Sequence, residues 1–508
     1  MVAAPREPVI GGVLPQGRTT PFRRLTTLFM AAAPALHLNP KPPNPMSKTR
    51  KKRSKKIKAA SNDAALNTTV HPDAAGIDIG AEELMAAVPP GRCEGGTVRG
   101  FSSFTSGVHA LRDWLVECQI RTVALESTGN YWITTYAVLE DAGIEVCLVN
   151  ARHVKGVPGR KTDVQDAQWL QQLHAAGLLR KSFRPAKDIV PLRYLMRHRS
   201  EMIAEGARQV QLMQKVLIEM NLHIQHVFSD VDGLSAQRII SAILAGERDA
   251  ATLARMRDHR CRTPEAKVIE ALQGDYRAEY LFVLRQCQER WEQTGAAIAA
   301  CDAQIGLITA AISGDGQQSG PLPAPENKRQ HTAQKNSLAM PVFEEGWRFY
   351  GVDLSAVPGV GSAVLATLMS ELGTGTQIKG SFRSAEAFAS WLGLCPDNRI
   401  SGGRVLKAKT RKVVSRVAAA LRIAAQSLRN SEHKLGEYCR RMKARLGKAE
   451  GITATAHKLA RILYAVITSR VPYNEEQAFR QTPATQARRL HRLQKQAARL
   501  GLQLIPAI

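Results

Sequence analysis

From Ala75 to about Leu179, short apolar runs alternate with helical patterns. Gly76-Ile77-Asp78-Ile79-Gly80 reads as a strand interrupted by one acid, and Leu84–Val88 and Thr97–Phe104 as the next two strands. Val108–Cys118 reads as a helix, Thr122–Leu125 as a strand closed by Glu126, and Tyr131–Ala142 as a helix. Ile144–Val149 is a further strand and Thr162–Ala175 a further helix. Three strands followed by alternating helices and strands predict a mixed α/β sheet with helices on its faces.

Beyond residue 190 the period becomes helical. Val210, Met213, Leu217, Met220, Ile224 and Val227 recur at spacings of three and four. So do Leu284, Cys287, Trp291, Thr294, Ile298, Cys301, Ile305, Ile308 and Ile312. This predicts two heptad helices. A plain helical hairpin and an intermolecular coiled coil both satisfy the pattern. Residues 314–340 are polar and rich in Gly, Pro, Gln and Asn, a linker. The chain is thus expected to divide into a basic, disordered extension (1–72), an α/β domain (73–185), a helical coiled-coil region (186–313), the linker (314–340), a mostly α-helical second domain (341–475) and a basic tail (476–508).

Charge narrows the class of partner. Among 508 residues, 70 Lys and Arg stand against 44 Asp and Glu, a net charge of +26. Such an excess points to a polyanion, above all nucleic acid, through phosphate neutralisation and counterion release. The 44% hydrophobic content excludes a wholly disordered chain. No apolar stretch reaches the ~20 residues of a membrane span, so no membrane is expected as a partner. Residues 48–58 carry eight basic side chains among eleven, and read either as a solubilising tail or as a phosphate-binding arm. The eight cysteines are scattered without a CxxC pair, which fits a reducing cytosol better than a disulfide framework or a zinc site. Arg23-Arg24 before Leu25–Leu38 faintly mimics a targeting peptide, and the working protein is expected to start near Met46.

Four acids in the first domain invite a chemical reading. Asp78 sits mid-strand, where an ionised carboxylate is costly unless paired or metal-bound. Glu126 closes the apolar run TVALE, and Asp163 and Asp166 share a face near a helix start, where simple dipole capping also explains them. Each alone reads as structural. Converging at one sheet edge, the four would suit two divalent cations, Mg²⁺ or Mn²⁺.

In the second domain, Pro358-Gly359-Val360-Gly361 lies within LSAVPGVGSAVLATLMSEL. It reads as a helix-hairpin-helix-like motif between two helical segments, with Gly359 and Gly361 letting backbone amides approach a phosphate, or as an ordinary turn. Ser401 precedes Gly402-Gly403 in a stretch with no acid from Arg399 to Ser431. Ringed by Arg399, Arg404 and Lys407, the serine is either a nucleophile toward phosphorus or a turn residue in a basic phosphate-binding loop.

GIDIG, ALESTGNYW and KTDVQDAQWL, followed by PGVG, FRSAEAFASWLGL and RISGGRVLKAKTRKV, resemble in order the motifs of one family. These are the transposases of the one-hundred-and-ten type insertion sequences, the bridge-RNA-guided recombinases, and the resemblance spans roughly residues 73–470. It implies an RNase H-like, RuvC-like domain with Asp78, Glu126, Asp163 and Asp166 as DEDD metal ligands, and Ser401 as the nucleophile that forms a transient 5′-phosphoserine link to DNA. It also implies donor and target DNA and a structured guide RNA as partners. The protein would work as a homo-oligomer, dimer or tetramer, joined through the coiled coil, in a bacterial cytoplasm. The N-terminal extension departs from the family pattern. An actin-like ATPase is a rival for GIDIG but lacks a second phosphate loop and an adenosine motif. Two further rivals are a RuvC-type metal-only junction nuclease and a non-catalytic nucleic-acid-binding relative.

Overall fold

The computed structural model describes residues 69–94, 96–126, 129–150, 163–316, 321–322, 335–411, 413–480 and 483–503. The basic run 48–58 and the targeting-like stretch lie outside them. The chain divides into two compact units, at Arg180/Lys181.

The first unit holds a five-stranded sheet. Its strands are β1 (Ala74–Ile79), β2 (Glu83–Ala87), β3 (Val98–Ser102), β4 (Thr122–Glu126) and β5 (Glu145–Val149), in the order β3-β2-β1-β4-β5. The first three form an antiparallel meander, and β1, β4 and β5 run parallel. The predicted mixed sheet is therefore present. Alternation decides which helix covers which face. Ile77, Ile79, Val123, Leu125, Val146 and Leu148 share a core with Val108, Leu111, Trp114 and Leu115 of α1 (Thr105–Glu117) and Tyr136 and Leu139 of α2 (Trp132–Asp141). On the opposite face Ala124, Cys147 and Val149 pack with Leu170 of α3 (Asp163–Ala175). Cys93 and Cys118 are joined in a disulfide, with Cα atoms 5.4 Å apart, a single pairing where the scattered cysteines were read as fitting a reducing cytosol. Twenty-five residues apart in sequence, they meet because the β2–β3 connection folds back to the end of α1.

In the second unit α4 (Ile189–Glu219) and α9 (Ala278–Ala311) form a long antiparallel pair that packs seam to seam. Four short helices close one end: α5 (Ile224–Val227), α6 (Leu234–Ala245), α7 (Ala250–Arg255) and α8 (Glu265–Ala271). They share a core with Met213, Val216, Leu217, Leu284 and Cys287. At the other end Ile189, Leu192, Cys301, Ile305 and Ile312 enter the core of the C-terminal helices, so the long pair and those helices belong to one unit. The C-terminal helices are α10 (Val342–Tyr350), α11 (Ser362–Leu372), α12 (Gly375–Ser381), α13 (Ala385–Trp391), α14 (Arg416–Ser427), α15 (Lys434–Leu446), α16 (Lys448–Ser469), α17 (Glu475–Ala478) and α18 (Pro483–Arg499).

The first heptad pattern does not make one helix. α4 stops at Glu219, Asn221 takes a left-handed φ of 58°, and Ile224 and Val227 belong to the separate α5. Asn tolerates that conformation, and the Leu222 amide returns to the Leu217 carbonyl at 2.8 Å, so the apolar period continues through a break. α9 is long and apolar enough to cross a bilayer by length and composition, yet its apolar seam packs on α4.

A buried ion pair fastens the helix pair. Arg199 of α4 meets Asp302 of α9, with Nη2 3.1 Å from Oδ2, and donates to the carbonyls of Asn336 and Ser337, each at 3.1 Å. The start of the expected linker is held too. Gly316 N donates to the Arg348 carbonyl at 2.8 Å, and Asp315 accepts from Thr376 N at 2.7 Å and pairs with Arg470 at 3.2 Å.

Candidate active site

Two strand ends and one helix organise the acids. In the parallel pairing of β1 with β4, Ala74 lies beside Thr122 and Ile77 beside Leu125. Continuing that register by one residue sets Asp78 beside Glu126, on strands about 4.8 Å apart. Both side chains are half-buried. Asp78 shares its face with Gly76, and Glu126 with Ala124, so both lie on the side that carries α3. The small residues at 76 and 124 let that helix approach closely. A Cβ on Gly76 would stand 2.3 Å from Gln171 N and 2.5 Å from the Ala167 carbonyl oxygen.

That contact also gives the direction of α3. The Gln171 side chain donates to the Ala74 carbonyl at 3.2 Å, while Ala167 lies over Gly76. The helix therefore runs against β1, and its first turn, Asp163 to Asp166, is carried toward the strand ends bearing Asp78 and Glu126. Asp166 is exposed, and the side chain of Asp163 lies outside the described residues. Among the described residues no group of three or more His, Cys, Asp or Glu side chains is arranged to hold a metal ion. The donor set fits a hard divalent cation nonetheless, since it is built of carboxylates carried to one end of the sheet.

The serine, expected in a glycine turn of a mostly helical domain, stands beside such a turn at the tip of a β-hairpin. β6 (Arg399–Ser401) and β7 (Arg404–Lys407) pair antiparallel around a two-residue turn, Gly402-Gly403. Both glycines have positive φ, 56° and 76°, as a type I′ turn requires. Ser401 is therefore the last strand residue, exposed, with Arg404 directly across from it. Ile400 and Val405 form the next register pair, and Arg399 and Lys407 the one after it, beyond a bulge; the side chains of Arg399 and Lys407 lie outside the described residues. Below the strands, Asp397 N donates to the Lys409 carbonyl at 3.0 Å, and Arg411 donates to the Ser390 carbonyl at 2.5 Å. The tip is apolar as well as basic: Ile400, Val405 and Leu406 are more than half exposed.

Residues 75–221 match the family model of the DEDD transposase domain of IS110, described as "Transposase". Residues 353–440 match a second model, described as "Transposase IS116/IS110/IS902 family". The chain belongs to the IS110-type transposases. No curated protein matches it. As a transposase it is a DNA-recombining enzyme, and domains of the DEDD type generally depend on a divalent metal. The two matches span Asp78, Glu126, Asp163 and Asp166 and the hairpin of Ser401, and leave residues 1–74, 222–352 and 441–508 unmatched.

The PGVG segment of the transposase differs from its expected setting. The residues before it are consecutive turns rather than a helix, begun by Ser355 N donating to Asp353 Oδ1 at 2.8 Å, and only α11 follows as a helix. Gly359 has φ 91°, and a Cβ there would lie 3.2 Å from the Ala424 carbonyl, so this glycine is required by packing on α14. Gly361 is the N-cap of α11 and faces open space, and it alone retains the reading of an open amide approach.

Sequence reasoning missed one charged cluster of the transposase. Glu371 of α11 is buried and gathers three guanidiniums from two other helices. Arg197 binds it through two bonds of 2.9 and 2.8 Å, Arg193 approaches to 2.9 Å and Arg416 to 3.9 Å. Burial lowers the Arg193 pKa and Glu371 counters it. Only the acid within the apolar run LATLMSEL hinted at this.

Proposed function

We propose that this transposase cuts and rejoins donor and target DNA through a phosphoserine intermediate, using a metal-binding DEDD site and a guide RNA. The observation that carries the reading is Ser401, exposed at the tip of a glycine hairpin and faced by Arg404. In the proposed step Ser401 Oγ forms a bond to phosphorus and loses its proton. The bond from phosphorus to the 3′ oxygen breaks, and that oxygen takes up a proton. The 5′ end stays on the enzyme as a phosphoserine ester. Attack by the 3′ hydroxyl of a second strand reverses the chemistry and frees Ser401, so no external energy source is needed. Arg404, with Arg399 and Lys407 two register pairs away along the hairpin, would neutralise charge developing on the phosphoryl oxygens.

Asp78, Glu126, Asp163 and Asp166 would hold Mg²⁺ or Mn²⁺, which when bound would act as a Lewis acid on phosphate oxygens. The side-by-side register of Asp78 and Glu126, and the direction of α3, support that assignment. The apolar tip around Ser401 supports a serine that works against another surface, as in an oligomer. The α4–α9 pair would serve as the dimerising coiled coil, and the net charge of +26 supports a load of RNA and two duplexes.

The test is recombination of supercoiled donor and target DNA by purified protein with Mg²⁺ and the flanking RNA. Wild type should give recombinants and a covalent protein–DNA adduct on denaturing gels, and Ser401→Ala should give neither. Cleavage that survives Ser401→Ala would replace this reading with a metal-only RuvC-type nuclease.

A further inference from the structure

Outside both matched regions, where the short helices close the α4–α9 pair, lies a cavity of about 660 Å³ between α6, the end of α7, and α9. That is a usual size for a small-ligand site. One wall is Trp291, a residue of the α9 seam that is only half-buried. Opposite it on α4 stands Gly206, where a Cβ would lie 4.0 Å from the indole Cδ1. The seam thus sets a half-buried aromatic ring in the cavity wall.

The charged groups around that ring are mostly cations. Arg238 and Arg255 are exposed and have no salt-bridge partner among the described residues. Arg257 is held at 2.8 Å by Glu265. Glu292 is the single acid in the lining among the described residues, so cations outnumber it. Gln288 is buried and its Nε2 donates to Ser241 Oγ at 2.8 Å. Gln237 donates to the Val231 carbonyl at 2.9 Å, while its own Oε1 is buried with no hydrogen-bond partner. An orphaned amide oxygen is a cost that a donor from a ligand would relieve.

An aromatic wall, unpaired guanidiniums at the mouth and an unmet amide acceptor suit a nucleotide: base, phosphate and base edge in turn. We propose that this cavity binds an unpaired nucleotide of a single-stranded polynucleotide. The base stacks on Trp291, the flanking phosphate meets Arg238 and Arg255, and a base amino group satisfies Gln237. A paired duplex is excluded by the same chemistry, because its bases present no free face to the ring.

The site is tested by near-ultraviolet crosslinking of the full chain to short single strands, one of RNA carrying 4-thiouridine and one of DNA carrying 4-thiothymidine. Excess unlabelled duplex would occupy the other basic surfaces. Crosslinks should map to peptides around residues 237–241 and 288–292, and the better-crosslinked strand identifies the sugar preferred. Trp291→Leu should weaken single-strand binding roughly 5- to 150-fold, and Trp291→Phe should largely retain it. The double change Arg238→Gln and Arg255→Gln should lower the slope of log affinity against log salt by about 0.7, the share of the one phosphate they meet. Crosslinks elsewhere only, equal yield from duplex, or affinities unmoved by these variants would overturn the proposal. So would a change in oligomeric state on light scattering with binding intact, which would make this face a protein interface. Because no strand is cut in the assay, its outcome is independent of the chemistry at Ser401.

Discussion

Replacing Gly76 by alanine tests how α3 is seated. The added Cβ would stand 2.3 Å from Gln171 N and 2.5 Å from the Ala167 carbonyl oxygen, where ordinary contact begins at 3.4 Å. Both obstacles are backbone atoms, so no rotamer change relieves them. The helix must retreat by roughly 1 Å, at a cost of about 1–3 kcal/mol for overpacking. Against a typical total of about 5–15 kcal/mol the domain stays folded. The displaced helix carries Asp163 and Asp166, and a shift of about 1 Å at a reacting centre can cost ~100-fold in rate. Urea titration by circular dichroism should show a lower midpoint, and strand exchange should slow far more than the residual stability explains. Wild-type stability together with wild-type exchange in Gly76→Ala would refute the close seating of α3 on β1, and with it the placement of Asp163 and Asp166 near the strand ends.

Other expectations are independent of that helix. Gly295 lies inside α9 with nothing within 4 Å of its would-be Cβ, so Gly295→Ala should stabilise the protein by about 0.5–1 kcal/mol in the same titration. Asp302→Ala strands the buried Arg199 and should cost about 3–5 kcal/mol, whereas replacing both partners with apolar residues of similar volume should cost far less; equal losses would show that the pair contributes through packing alone. Burial, aided by Arg461, depresses the His457 pKa below its ordinary 6.5. The unfolded chain then binds the proton more readily, so stability falls as pH drops below about 6.5 and levels off beneath the folded-state value. His457→Gln should flatten that part of the stability–pH curve, and an unchanged curve would remove His457 as its source.

The strands of the first unit were legible as short apolar runs set between helical patterns, and the order of elements restricts the sheet to few arrangements. Glu126 was legible as a strand-end residue and Asp163 and Asp166 as helix-start residues, while Asp78, read as mid-strand, stands one residue from the end of β1. The direction of α3 was not legible, since it depends on how Gly76 and Ala124 shape one face. The serine hairpin escaped because its strands are three and four residues long and expose Ile400, Val405 and Leu406, so no buried face imprints a period. Its one signal was the Gly-Gly pair. The break at Asn221 escaped because apolar spacing continues across it into α5. The Glu371 cluster joins residues 193, 197, 371 and 416, which no local pattern can relate.

The fastenings on either side of residues 317–334 have a consequence for protein engineering. Before that segment, Asp315 and Gly316 are tied to α10, α12 and the end of α16; after it, the carbonyls of Asn336 and Ser337 are tied to Arg199. Both stumps are anchored to the same folded body, so the covalent link between them is dispensable for holding it together. New chain ends, or an inserted reporter domain, placed between Leu322 and Lys335 should therefore be accepted, because lengthening a closed loop costs only about 0.6 kcal/mol per doubling.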